Sequence, residues 1–129
     1  IIVTTPQEVA VVDAVKAMNM FLLPNVNVPI LGVAENMSWF TPEELPDKKY
    51  LLFGEGGGKR VAEIAESELL GQVPLIQGIR EGGDSGKPAI LDDDHLAKPY
   101  FKIVVNQLIS QVEKRNKEMK PTETVKIIS

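Results

Sequence analysis

The chain has 129 residues and a mass of 14.2 kDa, one domain or a piece of one, long enough to bury a core. Its 14 Lys and Arg against 18 Asp and Glu give a net charge of −4 with no basic stripe, so a duplex-binding surface of clustered cations is excluded and no nucleic-acid partner is expected. The absence of cysteine excludes disulfides and thiolate metal sites and fits a reducing compartment; with no bilayer-length apolar run and no signal-peptide pattern, a cytoplasmic location without membrane partners is expected.

The chain opens without Met inside an apolar run, Ile1-Ile2-Val3-Thr4-Thr5, dense in β-branched residues as a buried parallel strand is. Natural chains seldom begin on such a strand, so a fragment is expected. Thr5 as N-cap, Pro6 at N1 and Glu8 at N3 form a capping-box pattern, which predicts a helix directly after the strand. Val11, Val12, Val15, Met18 and Leu22 recur at helical spacing as its core stripe, and Pro24-Asn25 stops it. A second strand is predicted over Val28-Pro29-Ile30-Leu31-Gly32-Val33-Ala34, ending at Glu35-Asn36. The polar stretch from Ser38 to Tyr50, broken by Pro42 and Pro46, reads as a loop. Trp39, Phe40 and Tyr50 flank it, as loop anchors rather than as a partner-facing patch.

Gly54 to Gly58 leads into a second helix with Val61, Ala62, Ile64 and Ala65 on one side. Leu69 to Leu75 reads as a third strand, followed by a glycine-rich loop at Gly82-Gly83-Asp84-Ser85-Gly86. A long helix is predicted from about His95 to Glu118, with Phe101, Val104, Val105, Leu108 and Val112 as its stripe. The residues after Pro121 alternate weakly, as a loose tail or an edge strand would. Strand and helix thus alternate three times, which predicts an α/β fold, a three-layer, mainly parallel sheet flanked by helices. Ligands in such folds sit at the C-terminal ends of the strands, so the segments to watch are Thr4 to Pro6, Glu35 to Ser38 and Pro74 to Arg80.

Two segments imitate a phosphate-binding loop and fail. That loop needs Gly, four residues, then Gly-Lys-Ser/Thr, so that amides and lysine hold phosphate while the hydroxyl holds magnesium. Gly58-Lys59-Arg60 has Phe53 at the first glycine position and Arg60 at the hydroxyl position; Gly86-Lys87-Pro88 has Glu81 and Pro88 there. Both read as loops at a helix start or sheet edge, although the glycines before Val61 could bind an anion weakly through free amides. His95, the one histidine, suits an exposed or capping place at a helix start, and Asp92-Asp93-Asp94 suits a solvated turn better than a metal cluster.

Four ordered blocks carry a family resemblance: Thr4-Thr5-Pro6-Gln7-Glu8-Val9-Ala10; Val28 through Glu35-Asn36-Met37-Ser38; Phe53-Gly54-Glu55-Gly56-Gly57-Gly58; and Pro74-Leu75 with Ile79-Arg80-Glu81-Gly82-Gly83-Asp84-Ser85-Gly86-Lys87-Pro88. Over about residues 1 to 90 they resemble the Mrp/ApbC branch of the MinD-like P-loop ATPases. The resemblance implies a partial P-loop NTPase fold, with residues 1–118 the C-terminal portion of the ATPase domain and 119–129 a tail. It also implies a parent that binds ATP, takes its magnesium through upstream residues and carries iron–sulfur clusters to client proteins as a homodimer. Asn36 is similar to the base-reading Asn of the superfamily, since an amide both donates and accepts along an adenine edge; Pro74 and Leu75 resemble the segment that packs on the base. Many relatives carry a Cys-x-x-Cys pair after the Glu-Asn-Met block, where this chain reads Phe40-Thr41-Pro42-Glu43-Glu44-Leu45-Pro46-Asp47. A cluster held by this chain is therefore in doubt, and hydrolysis by residues 1–129 alone is not expected without a Walker A loop. The alternative function is a non-catalytic scaffold or dimerisation module of the same fold.

Overall fold

The computed structural model describes residues 1–42 and 44–121. In chain order they form β1 (Ile2–Thr4), α1 (Glu8–Leu22), β2 (Val33–Phe40), α2 (Gly57–Ile64), β3 (Leu69–Leu75), α3 (Gln77–Asp84), a 3-10 turn at Ala89–Leu91 and α4 (Lys98–Glu118). The three strands lie in the order β1-β2-β3 and all run parallel, Ile2 opposite Val33 and Val33 opposite Leu69. Parallel neighbours require crossovers, and α1 and α2 supply them. The α/β fold is therefore as the alternation predicted.

Two cores sandwich the sheet. On one face Ile2 and Val33 meet Val11, Ala14 and Met18 of α1 and Val61 and Ala62 of α2. On the other, Ala34, Leu70 and Val73 meet Val104 of α4. Gly71 lets α4 come close: a Cβ there would stand 2.8 Å from Val104 Cγ2. Trp39 closes that side edge-on to Tyr100, ring centroids 5.5 Å apart, with Lys49 Nζ 4.1 Å from the Trp39 centroid. Phe40 and Tyr50, paired by a short antiparallel bridge, are 36% and 44% exposed, so of the three flanking aromatics the half-buried Trp39 is the best covered.

Several boundaries differ from the sequence reading. Helix α1 begins at Glu8 behind Gln7, not at Thr5, and no side chain caps it. The Thr5 hydroxyl is instead buried with no partner among the described residues, and Glu8 reaches Arg60 of α2 rather than its own helix start. Val12 and Leu22 are exposed; Ala14 and Phe21 complete the stripe in their place. Strand β2 starts at Val33, not Val28. The apolar residues 28–32 precede the ladder with β3, which pairs Glu35 with Gln72 and Asn36 with Val73 and resumes at Phe40; the buried polar groups of Glu35 and Ser38 are satisfied from within. The region read as a glycine-rich loop is largely helix α3. Bonds from Gln77 to Glu81 (2.7 Å) and Arg80 to Asp84 (2.9 Å) at i,i+4 spacing offset the low propensity of Gly82 and Gly83. Helix α4 begins three residues after His95, whose Nδ1 accepts the Ala97 amide at 3.0 Å. The tail expected after Pro121 lies outside the described residues.

Candidate functional site

The strand ends bring the watched segments together. Asn36 pairs with Val73 in the sheet, one residue before Pro74, and Phe40 pairs with Leu75. Asn36 is thus inside β2 rather than at its end, but it sits where the strand breaks register. Between Asn36 and Phe40 the ladder with β3 slips, and Met37 adopts φ +54°, a left-handed conformation that costs a non-glycine residue energy. Such bulges re-aim side chains. On the β1 side Asn36 lines an open groove of about 540 Å³ with Thr4, Thr5, Asp13 and Ala14. Pro74 is buried and Leu75 half-buried. The Asn36 Oδ1 accepts the Met37 amide at 2.9 Å, which uses one of its two lone pairs. The second lone pair and the Nδ2 donors make no hydrogen bond among the described residues.

Directly before Asn36 stands a feature the sequence reading missed. Glu35 is 1% exposed, the one buried carboxylate among the described residues. Its Oε1 accepts the Ser38 hydroxyl at 2.8 Å and the Gln72 amide at 2.7 Å; its Oε2 accepts the Gly58 amide at 2.6 Å. One side chain therefore ties β2 to β3 and to the first turn of α2. Burial of a carboxylate is tolerated only with such partners. The available signal was a Glu continuing an apolar strand, followed about twenty residues later by consecutive glycines. Gly58 must be glycine for the contact, since its Cβ would stand 2.7 Å from Glu35 Cβ.

Of the amides that the glycines before Val61 were expected to offer an anion, that of Gly58 is taken by the Glu35 carboxylate. Lys59 and Arg60, of the first loop imitation, lie on the exposed side of α2 beside Glu63 and Glu8. Lys87, of the second, is exposed after α3. No group of three or more His, Cys, Asp or Glu among the described residues is arranged to hold a metal ion. No helix among them is long and apolar enough to cross a membrane.

Comparison with known proteins gives this geometry its context. A family profile described as ParA, NUBPL iron-transfer P-loop NTPase, matches residues 1–109. An "Iron-sulfur cluster carrier protein" of Synechocystis is 48% identical over 97 residues, covering 75% of this chain and 27% of that protein. One of the same description from Pyrococcus abyssi is 40% identical over 123 residues, covering 95% of this chain and 39% of its own length. The "Iron-sulfur cluster transfer protein NUBPL" of Dictyostelium discoideum is 40% identical over 114 residues, covering 88% and 34%. The chain thus spans between a quarter and two fifths of these relatives. Among solved structures, the MinD cell division protein of Aquifex aeolicus superposes with a TM-score of 0.51 at 15% identity, over 94% of this chain and 44% of that one, a likeness of fold.

Proposed function

The chain belongs to the ParA-type family of NUBPL iron-transfer P-loop NTPases, and from that membership we propose that residues 1–129 are the base-binding side of an ATP-binding protein that serves iron–sulfur cluster assembly or transfer. The observation that carries the reading is Asn36, set on a bulge at the ligand end of a parallel sheet, next to Pro74 across the ladder, with hydrogen-bonding capacity to spare. Adenine offers an exocyclic amine beside a ring nitrogen. The free lone pair of Oδ1 suits the amine and Nδ2 suits the ring nitrogen, while Pro74 and Leu75 supply apolar cover for the base. Guanine presents a carbonyl where adenine presents the amine, so the same amide opposes it.

Neither loop imitation in residues 1–129 has the residues that the phosphate half of the reaction needs, and at the glycine-rich start of α2 the Gly58 amide is taken by Glu35. We assign hydrolysis and magnesium binding to the complete protein and expect none from residues 1–129 alone. No cluster ligand is assigned within this chain either, since thiolates hold such clusters and it has no cysteine. We further propose that the complete protein works in the cytoplasm as a homodimer and passes clusters to client proteins; the relatives' names, cluster carrier and cluster transfer protein, support the last of these.

The test is Asn36→Ala in the complete protein, titrated calorimetrically with ATP and GTP. Losing a paired hydrogen-bonding group costs about 1–3 kcal/mol, so the Kd for ATP should rise roughly five- to 150-fold while that for GTP changes little. An equal loss for both nucleotides would instead assign Asn36 to the turn at Met37, and an unchanged ATP affinity would remove it from the site.

A further inference from the structure

Glu35 is fully buried beside the candidate base reader, yet the proposed chemistry gives it no task. Its three partners come from three places in the chain: Ser38 at the far side of the bulge, Gln72 on β3 and Gly58 at the start of α2. The residues between Glu35 and Ser38 are Asn36 and the left-handed Met37. The carboxylate therefore brackets the strained segment. The backbone carbonyl of Glu35 lies 3.2 Å from the same Ser38 hydroxyl and shares its single hydrogen with the carboxylate, so both acceptors of that donor belong to one residue. A residue held at positive φ without glycine persists only where its surroundings impose it. Here the surroundings are this buried network and the resumed pairing of Phe40 with Leu75.

We infer that Glu35 is a positioning residue for nucleobase recognition: through Ser38 it holds the Asn36-Met37 bulge, and through Gly58 it fixes that bulge against the start of α2. The inference rests on the reading that Asn36 contacts the base, and it extends that reading to the side chains that set where Asn36 points. Glu35 itself, 1% exposed and with both carboxylate oxygens bonded within the protein, is given no contact with the base. Releasing Ser38 frees the bulge while leaving Gln72 and Gly58 bound, so the fold survives and the direction of the Asn36 amide does not. Replacing Glu35 with Gln presents an amide to a site that holds three donors and loosens the bulge and the helix start together.

The experiment uses the complete protein with Asn36→Ala, Ser38→Ala and Glu35→Gln. It measures Kd for ATP and for GTP, the melting temperature, and amide exchange at Gly58 and Met37. Ser38→Ala should cut the preference for ATP over GTP by about fivefold or more, raise exchange at Met37 but not at Gly58, and lower the melting temperature less than Glu35→Gln does. Glu35→Gln should cut the preference similarly and raise exchange at both amides. If Asn36→Ala abolishes the preference while Ser38→Ala leaves it intact, Glu35 is a structural tie only and the inference falls by itself. That result stands even should Glu35→Gln fail to fold. If Asn36→Ala leaves the preference intact, the base-reading assignment falls and takes this inference with it.

Discussion

On the α1/α2 face of the sheet Met18 is 1% exposed and Val33 and Val61 are fully enclosed, whereas along α4 Val105, Ile109 and Val112 stand 48%, 51% and 37% exposed beside a single buried residue, Val104. Both helices carry apolar residues at helical spacing. The difference lies in what covers them: α1 lies against β1 and α2 at once, while α4 has β3 and the 3-10 turn. Equal periodicity thus yields unequal burial, because a stripe can be buried only as far as neighbouring elements reach. The α1/α2 face also carries the Glu35 network, so the more deeply buried side of the sheet is the one that holds the segment before Asn36. The exposed α4 stripe is a surface through which we propose residues 1–129 associate with one another.

The largest effect expected from this contrast is on stability. Met18→Ala should destabilise residues 1–129 by about 2–5 kcal/mol, as for other fully buried large-to-small changes, whereas Ile109→Lys should fall within about 0.5 kcal/mol of the parent. Urea denaturation measures both. Ile109→Lys should also weaken concentration-dependent self-association in sedimentation, which Met18→Ala need not do. Similar losses of stability for the two variants would break the comparison.

A smaller effect concerns the approach to α4, outside both cores. The hydrogen bond from Lys98, followed by the Lys98 charge and then that of Lys102, holds the Asp93 carboxyl below its ordinary value. A carboxyl lowered on folding adds stability above its unfolded pKa and loses it as pH falls through the folded one. Asp93→Asn should therefore lower the melting temperature slightly near neutrality and converge with the parent in acid. Because Asp93 is fully exposed, added salt should shrink the gap as well. A gap that persists undiminished in acid would show that the carboxylate charge is not its source.

The sequence made the alternation of strands and helices legible because β-branched runs and helical stripes are local signals. What it hid depended on distant partners. The run from Val28 to Leu31 is apolar enough for a strand, but apolarity reports burial and not ladder pairing, so β2 was read about five residues too early. Ser38 looks like the start of a loop until Glu35 takes its hydroxyl and Phe40 rejoins the ladder with Leu75. Gly82 and Gly83 suggest a loop until Gln77, Arg80 and Asp84 are seen to brace the turn. Thr5 has every local mark of an N-cap, yet the close fit of Pro6 against Gly57 accompanies a helix that starts later. Asn36 and Pro74 enter as candidates only through their ordered motifs, since an Asn beside a turn is otherwise unremarkable.

The central claim is that the nucleotide base meets the bulged end of β2 beside the end of β3. Photo-crosslinking the complete protein with 8-azido-ATP, followed by peptide mapping, tests it directly. The account predicts label on the peptides containing Asn36-Met37 and Pro74-Leu75, competed away by ATP and much less by GTP. Label confined to α4, or label at Asn36 that GTP removes as readily as ATP does, would contradict it.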